Sequence, residues 1–194
     1  GMKSVSDYYS TFSRVAEFNT AVSQGAHRVA YVGTPCQIQA IRKMQTLSIY
    51  PSESITVCLG LFCSGNFNFG VRQRKQIARI GKFQWEHVKK INIKEDLLVH
   101  LETGEVVAVL LDDLRSMKRP ACADFAAEYA DISFGGLGAD EGWTTVIARS
   151  AAGAKILSDS KDTAIEENRP TARSDLASQA LKKVRLWSDK KKKA

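Results

Sequence analysis

Long apolar runs are missing from this chain of 194 residues. The stretch VVAVLL at 106–111 is typical of a buried strand and is far shorter than the ~20 residues of a membrane-spanning helix. The start also lacks a charged n-region followed by an apolar h-region, so we expect a cytoplasmic protein without a membrane span. Gly1 precedes Met2, which predicts that residue 1 is a scar left by a cleaved tag.

A broad excess of positive charge is missing as well, although the formal net charge is +7. Seven of the 28 cations and one of the 21 anions lie from Lys182 onward, which leaves 21 cations against 20 anions in the rest. A nearly neutral body is not expected to bind nucleic acid. Residues 189–194 (DKKKKA) predict a basic disordered tail, with a docking contact for an acidic partner as the alternative.

Several standard motifs are absent. Neither a GxGxxG fingerprint nor a GxxxxGK(S/T) loop occurs, which disfavours standard dinucleotide and P-loop sites. No cysteine pair has CxxC spacing, so a zinc ribbon has little support. The three histidines, His27, His87 and His100, lie in unrelated contexts and do not indicate a histidine acid or base.

The pattern of apolar residues predicts alternating strands and helices. Residues 2–27 predict an N-terminal helical lead-in, and RVAYVG at 28–33 predicts the first strand. Thr34, Pro35 and Gln37 form a capping-box pattern at the start of a helix. A second buried strand is predicted at 54–63 (SITVCLGLFC) and a helix follows in VRQRKQIARIG, which is typical of an α/β layer.

The second half predicts a β-hairpin and two more strands. LLVHLETGEVVAVLL turns at Thr103 and Gly104, and strands follow at ADISF and TTVIAR. After Ser150 the pattern predicts a helix at AGAKILS, a short strand near DTAIEE and a helix from Ser174 to Val184. The expected fold is α/β, with α+β as the alternative: one layered domain with a mixed β-sheet, flanking helices and a β-hairpin insertion.

Of the four cysteines, Cys36 and Cys63 have the most suggestive positions. Cys36 lies in the first turn of a capped helix, where the macrodipole favours a thiolate; the alternative is a small buried residue. Cys63 ends its strand beside a Ser-Gly-Asn turn, a usual place for ligand-binding residues in an α/β sheet. Cys58 lies an odd number of residues earlier and faces the other way, so we expect it in the core.

Three glycine-containing turns offer backbone N–H groups to a phosphate: VGTPC, SGN at 64–66, and GGLGADEGW. Tight turns also need glycine without any ligand. Asp124 is a candidate for a flavin ribose, with solvation or capping as the alternative. Trp143 is a candidate to stack on an isoalloxazine ring, with a core position as the alternative.

The motifs VGTPCQIQAI, GLFCSGNF, CADFAAEYADISFGG and GWTTVIAR, in this order, resemble the C-terminal domain of the coenzyme F420 hydrogenase/dehydrogenase beta subunit family. The resemblance implies a flavoprotein module that binds FAD, carries a 4Fe-4S cluster and passes electrons between a partner subunit and coenzyme F420. It implies ferredoxin as a further partner, because some relatives use it. The domain would span 28–158, followed by a C-terminal helical appendage at 159–188.

Matched residue by residue, the resemblance places the cluster ligands at Cys36, Cys63 and Cys122. The family commonly has a CxxC pair at the last site, and here Arg119 occupies its first position. A non-cysteine fourth ligand, a 3Fe cluster, or three reduced thiols without a cluster all remain open. The candidate cofactor-binding residues are Gly33, Thr34, Pro35, Ser64, Gly65, Asn66, Asp124, Gly135, Gly136 and Trp143.

Two other functions remain open from the sequence. A partner-binding scaffold that keeps the family fold without cofactors would account for Arg119 and the lysine tail. Zinc held by the three cysteines is the third hypothesis. For the leading hypothesis the partner is another redox subunit or a separate N-terminal domain, because the family has an upstream segment in the same functional unit.

Overall fold

The computed structural model describes residues 23–193 except 26, 68–69, 94, 120–122, 141, 162 and 167–174, and only the backbone of 66–67 and 115–119. The strands are β1 (Val29–Gly33), β2 (Ile55–Leu61), β3 (Asn66–Phe67), β4 (Val88–Ile93), β5 (Leu97–Leu101), β6 (Val106–Val109), β7 (Lys118–Arg119), β8 (Ile132–Gly135) and β9 (Thr145–Ala148). The α-helices are α1 (Pro35–Thr46), α2 (Val71–Gly81), α3 (Ala151–Ser160) and α4 (Leu176–Lys193).

The described residues separate into two compact units. Residues 65–121 form one, which we call the hairpin unit, and residues 23–64 with 123–193 form the other, the sheet unit. The α/β class and the mixed sheet predicted from the sequence are confirmed. Within this α/β fold, residues 65–121 have a hydrophobic core of their own.

The hairpin unit is built on a three-stranded antiparallel sheet in the order β4-β5-β6. The predicted hairpin is β5 and β6, and Gly104 at its turn has a φ of +88°, a conformation that favours glycine. Helix α2 lies against this sheet and buries Ile77 with Leu97, Val99 and Val109. The predicted β-hairpin insertion is therefore part of a larger unit that includes a helix.

The sheet unit has four strands in the order β1-β2-β8-β9. β1 and β8 both run parallel to β2, with Gly33 opposite Gly60 and Gly60 opposite Ser133. β9 is antiparallel to β8 and closes one edge of the mixed sheet. The carboxyl ends of β1, β2 and β8 therefore lie at one edge of the sheet.

Helix α1 connects β1 to β2 and packs its apolar stripe on the sheet. Ile38 and Ile41 are buried with Tyr31, Ile55 and Cys58. Burial of each isoleucine contributes about 1.5–3 kcal/mol by transfer from water. The predicted capping box is present, with the Thr34 N–H donating to Gln37 Oε1 at 2.8 Å.

Helix α4 forms a second core with the segment before β8 and the turn after it. Val184 is buried with Phe125, Ala126 and Leu137. The helix extends to Lys193, so the disordered tail predicted at 189–194 is wrong for the described residues. It also crosses the predicted boundary between appendage and tail.

Two further predictions of secondary structure can be compared with the structure, and a third lies outside it. The short strand near DTAIEE is reduced to one bridge between Lys161 and Ile165. Helix α3 matches the helix predicted at AGAKILS and crosses the predicted boundary at 158. The helix predicted within 2–27 lies almost entirely outside the described residues. None of the helices described here is long and apolar enough to cross a membrane.

Candidate functional site

The candidate residues gather at the carboxyl edge of the parallel strands. Cys36 comes three residues after the end of β1, Cys63 two after the end of β2, and Gly136 directly after β8. Because these strands are parallel, their following residues leave the sheet at the same edge. This is the edge at which open α/β sheets bind ligands.

The first turn of α1 presents Cys36 to solvent. Its Sγ lies 3.3 Å from the Thr34 hydroxyl oxygen, and that hydroxyl also donates to Gln37 Oε1 at 3.0 Å. Pro35 is buried and has no N–H to offer a ligand. The N–H groups of a helix's first turn have no partner within the helix. Since the Gln37 N–H faces the Thr34 side chain in the capping box, the Cys36 N–H is the one at this helix start that suits a ligand.

Cys63 is half-buried and its backbone is held on both sides. Its N–H donates to the Phe125 carbonyl at 2.9 Å, and its carbonyl accepts from Lys191 Nζ at 2.7 Å. These contacts place Cys63 next to the segment that follows Cys122. Cys122 itself lies outside the described residues.

Cys58 is a core residue, as the strand alternation predicted. Its side chain is fully buried among Ile38, Ile41 and Ile55. Burial raises the pKa of the Cys58 thiol to about 11, and Asp131 adds to this effect while Arg42 opposes it. A thiol that stays neutral and inaccessible is not a metal ligand.

Asp124 is buried and part of a local turn. Its Oδ2 accepts from the Glu128 N–H at 2.9 Å and from Gln39 Nε2 at 3.5 Å. The capping alternative for Asp124 is therefore what the structure shows. Gln39 lies one turn after Cys36 on α1, so the Asp124 segment contacts the same helix that presents Cys36.

Asp131 binds three elements of the sheet unit. Its Oδ2 accepts from the Cys58 N–H and from Arg42, each at 2.8 Å, and its Oδ1 accepts from the Ser150 hydroxyl at 2.7 Å. Burial alone raises the pKa of Asp131. The hydrogen bonds from Ser150 and Cys58 and the Arg42 charge outweigh burial, so its pKa is lowered. Asp131 therefore supports the sheet edge as a carboxylate.

Two cations that sequence reasoning missed hold the segment between Asp124 and Asp131. Arg149 donates to Ser133 Oγ at 2.6 Å and to the Ala126 carbonyl at 3.0 Å, and burial lowers its pKa. Lys191 donates to the Asp124 carbonyl at 2.7 Å as well as to Cys63. Arg149 follows an ordinary strand, and nothing in the local sequence marked its role.

A periodic signal could have identified Lys191. Five positions of α4 lie on one face at spacings of a helical stripe: Ala180, Val184, Trp187, Ser188 and Lys191. Four of them are an alanine, a valine, a tryptophan and a serine. The fifth, Lys191, is one of four consecutive lysines at 190–193, so its place on this face is recognised only from the spacing. A lysine can lie on the packed face because its stem covers apolar surface while its ammonium reaches polar groups.

The predicted glycines divide into two kinds. A Cβ at Gly135 would lie 2.0 Å from the Phe62 ring, and one at Gly33 would lie 2.8 Å from Tyr31. Both positions are thus explained by close packing within the chain. A Cβ at Gly136 would meet nothing within 4 Å, so its backbone fronts open space. Trp143 is 36% exposed, so the core alternative for its side chain is wrong.

The SGN turn joins the two units. Ser64 is the last residue of the sheet unit before the junction, while Gly65 and Asn66 belong to the hairpin unit. Gly65 is buried, and the Asn66 backbone pairs with Arg119 across β3 and β7. Arg119, which stands where the family commonly has a cysteine, is thus a strand residue.

The resemblance implies two cofactors at this edge, a flavin and an iron–sulfur cluster. Within the described residues, no group of three or more His, Cys, Asp or Glu side chains could hold a metal ion. An open backbone at Gly136 and a helix start at Cys36 do fit the phosphates of a flavin nucleotide, because both offer N–H groups at the ligand-binding edge.

Comparisons with known proteins identify the family of this chain. Residues 26–173 match the family model that describes the C terminus of the coenzyme F420 hydrogenase/dehydrogenase beta subunit. The chain is 29% identical over 167 residues to the coenzyme F420 hydrogenase subunit beta of Methanococcus voltae, covering 83% of this chain. It is 30% identical over 168 residues to the subunit of that name from Methanothermobacter thermautotrophicus, covering 82%.

A solved structure shows the same fold. A chain of the F420-reducing NiFe hydrogenase complex from Methanosarcina barkeri, determined as a xenon derivative, superposes with a TM-score of 0.68 at 29% identity. The alignment covers 89% of this chain and 63% of that one. The chain spans 59% of the length of each of the two curated beta subunits. By its sequence match and its fold, the chain belongs to the C-terminal family of coenzyme F420 hydrogenase/dehydrogenase beta subunits.

Proposed function

We propose that this chain is a flavin-binding electron-transfer module of an F420-dependent oxidoreductase. The observation that carries the proposal is the carboxyl edge of β1, β2 and β8, where an exposed thiol, an open glycine and a helix start follow the ends of parallel strands. The likeness to a chain of an F420-reducing hydrogenase complex supports it. The deazaflavin coenzyme F420 would be the substrate of this module.

The residues of the edge have distinct roles in this proposal. The N–H groups of Cys36 and Gly136 bind the flavin phosphates. The exposed ring of Trp143 offers an aromatic face for stacking. Bound FAD would supply the chemistry, since it exchanges hydride on one side and single electrons on the other. Gly33 and Gly135 shape the edge through close packing and do not contact the cofactor.

The cysteines remain the proposed ligand set of a 4Fe-4S cluster. Cys36 and Cys63 carry accessible or half-buried thiols at the edge, and Cys122 would be the third. Arg119 stands at the position of a fourth thiol and cannot serve as one, since a guanidinium has no acceptor. We therefore assign no electron-transfer step to a cluster.

The partners in this proposal follow from the relatives. The two curated beta subunits are named as subunits, and the solved relative is part of a complex. This chain spans 59% of the length of each of these two relatives, and the partner we propose is another redox subunit or a separate N-terminal domain. Ferredoxin is a further candidate donor. A cytoplasmic location suits these partners.

The first experiment is a flavin titration of anaerobically purified protein. We expect the wild type to retain FAD through gel filtration and to gain thermal stability with it. A Gly136→Leu variant should keep its fold, because the position faces open space, and should bind FAD about tenfold more weakly or worse. An Ala152→Leu variant, at an exposed position of α3, is the matched control and should bind like the wild type.

Iron analysis and turnover complete the test. Oxidation of reduced F420 with an artificial dye, dependent on added FAD, is the expected activity. Protein that binds neither flavin nor iron and shows no turnover would contradict the proposal and favour a partner-binding scaffold. Zinc retained in stoichiometric amounts would instead indicate the third hypothesis.

A further inference from the structure

Helix α4 lies beyond the part of the chain that matches the family model, which ends at residue 173. One face of it packs on the rest of the sheet unit. Near its start, Ala180 lies close to Gly138. A Cβ added at Gly138 would be 2.8 Å from the Ala180 Cα. In its middle, Val184 and Ser188 are buried. The residues that anchor the helix therefore precede the lysine run at 190–193.

At its end, α4 reaches the backbone of the cysteine-bearing edge. The ammonium of Lys191 donates to the carbonyls of Cys63 and Asp124, both at 2.7 Å. These carbonyls belong to segments that are far apart in sequence: one follows β2 and the other follows Cys122. Charged hydrogen bonds are stronger than neutral ones, and two such bonds from one group hold both acceptors at a set separation.

The neighbouring contacts orient Lys191. The Trp187 ring centroid lies 5.9 Å from that of Phe125 and 5.4 Å from Lys190 Nζ. Lys192 pairs with Glu128 at 3.1 Å on the surface. Phe125 is also the residue whose carbonyl accepts from the Cys63 N–H. The α4 residues on both sides of Lys191 therefore contact the segment that follows Cys122.

We propose that Lys191 is a positioning residue, which fixes Cys63 relative to the segment after Cys122 and so sets the geometry of the proposed redox edge. Its relevance to redox chemistry rests on the proposed function, whereas the positioning itself is a property of the chain without cofactors. Removing the ammonium should release the Cys63 backbone locally. The sheet unit should stay folded, because Val184 and Ser188 keep α4 in place.

The experiment uses the cysteines of the full, cofactor-free chain as reporters. Iodoacetamide labelling of each thiol is followed by peptide mass spectrometry. Cys36 is exposed and gives the reference rate, while buried Cys58 reports unfolding. In Lys191→Met we expect labelling of Cys63 to rise about tenfold relative to Cys36, because its backbone opens more often. Cys58 should stay protected.

Two further variants separate position from charge and from general stability. Lys191→Arg can still donate to both carbonyls and should keep labelling of Cys63 within about threefold of the wild type. Lys193→Met removes an exposed lysine from the same helix and should change nothing.

Three results would overturn the proposal. One is unchanged labelling of Cys63 in Lys191→Met. The second is slower labelling, which loss of the cation's field alone would produce. The third is labelling of Cys58 and Cys63 rising together, which would make α4 a general stabilising element. Since no flavin or iron is present, failure of the proposed function leaves these results unaffected.

Discussion

Replacing Asp131 with asparagine tests the polar network that supports the sheet edge. The carboxylate accepts three hydrogen bonds, from the Cys58 N–H, Arg42 and Ser150. An amide of the same shape has one acceptor oxygen and one donor nitrogen, so it cannot satisfy all three donors. The substitution leaves the volume of the core unchanged and isolates the loss of charge and acceptors.

The expected loss of stability follows from the burial of each partner. A buried donor without an acceptor, here the Cys58 N–H or the Ser150 hydroxyl, costs about 1–3 kcal/mol. Loss of the ion pair adds about 1 kcal/mol, because the Arg42 side chain is 30% exposed and partly screened by solvent. The free energy of unfolding should fall by about 3 kcal/mol. The melting temperature should fall by roughly 6–12 °C.

Thermal and denaturant unfolding of matched variants measure this effect. Asp159→Asn is the control, because Asp159 pairs with Lys155 on the surface and should lose no more than about 0.5 kcal/mol. If Asp131→Asn were as stable as Asp159→Asn, the network would not support the edge and this reasoning would be refuted.

The same carboxyl group predicts a pH dependence. The folded-state pKa of Asp131 is lowered, so its ionisation stabilises the fold above its unfolded pKa of about 4. That contribution is lost as the pH falls from there through the lowered pKa. The stability difference between wild type and Asp131→Asn should therefore be full at neutral pH and shrink in acid. A difference that grew on acidification would contradict this sign.

Two further predictions concern the burial of Cys58 and the packing at Gly135. Cys58, whose pKa is raised to about 11, should react with iodoacetamide at pH 8 about a hundredfold more slowly than Cys36 in native protein, and similar rates in a time course would contradict its burial. Gly135→Ala should cost about 1–3 kcal/mol in a denaturant titration, because its methyl group meets the Phe62 ring, whereas Gly136→Ala should be neutral within about 0.5 kcal/mol. Equal stability of the two glycine variants would refute the packing account.

Local signals in the sequence predicted local structure well. Thr34, Pro35 and Gln37 predicted the start of α1 because a capping box is complete within four residues. Strand alternation predicted that Cys58 is buried and that it does not join Cys63. Thr103 and Gly104 predicted the turn between β5 and β6. Each of these signals depends only on neighbouring residues along the chain.

Contacts between distant residues could not be predicted in this way. Lys191 and Cys63 are separated by 128 positions, and no spacing rule connects them. Arg149 is identified only by the carbonyl and hydroxyl that it reaches. Gly33 and Gly135 were predicted to bind a cofactor because glycine marks a close approach, yet the groups that approach are Tyr31 and Phe62 of the same chain.

The hairpin unit is inserted in the sequence between two segments of the sheet unit that contact each other. Residues 65–121 lie between these segments in the sequence, and within the sheet unit the Cys63 N–H donates to the Phe125 carbonyl. A unit inserted between contacting segments can change in length while those segments stay together, because the entropy of closing a loop grows only slowly with its length. The two cysteine-bearing segments are thus linked through space more directly than along the chain, which leaves the intervening sequence free to diversify while the edge keeps its geometry.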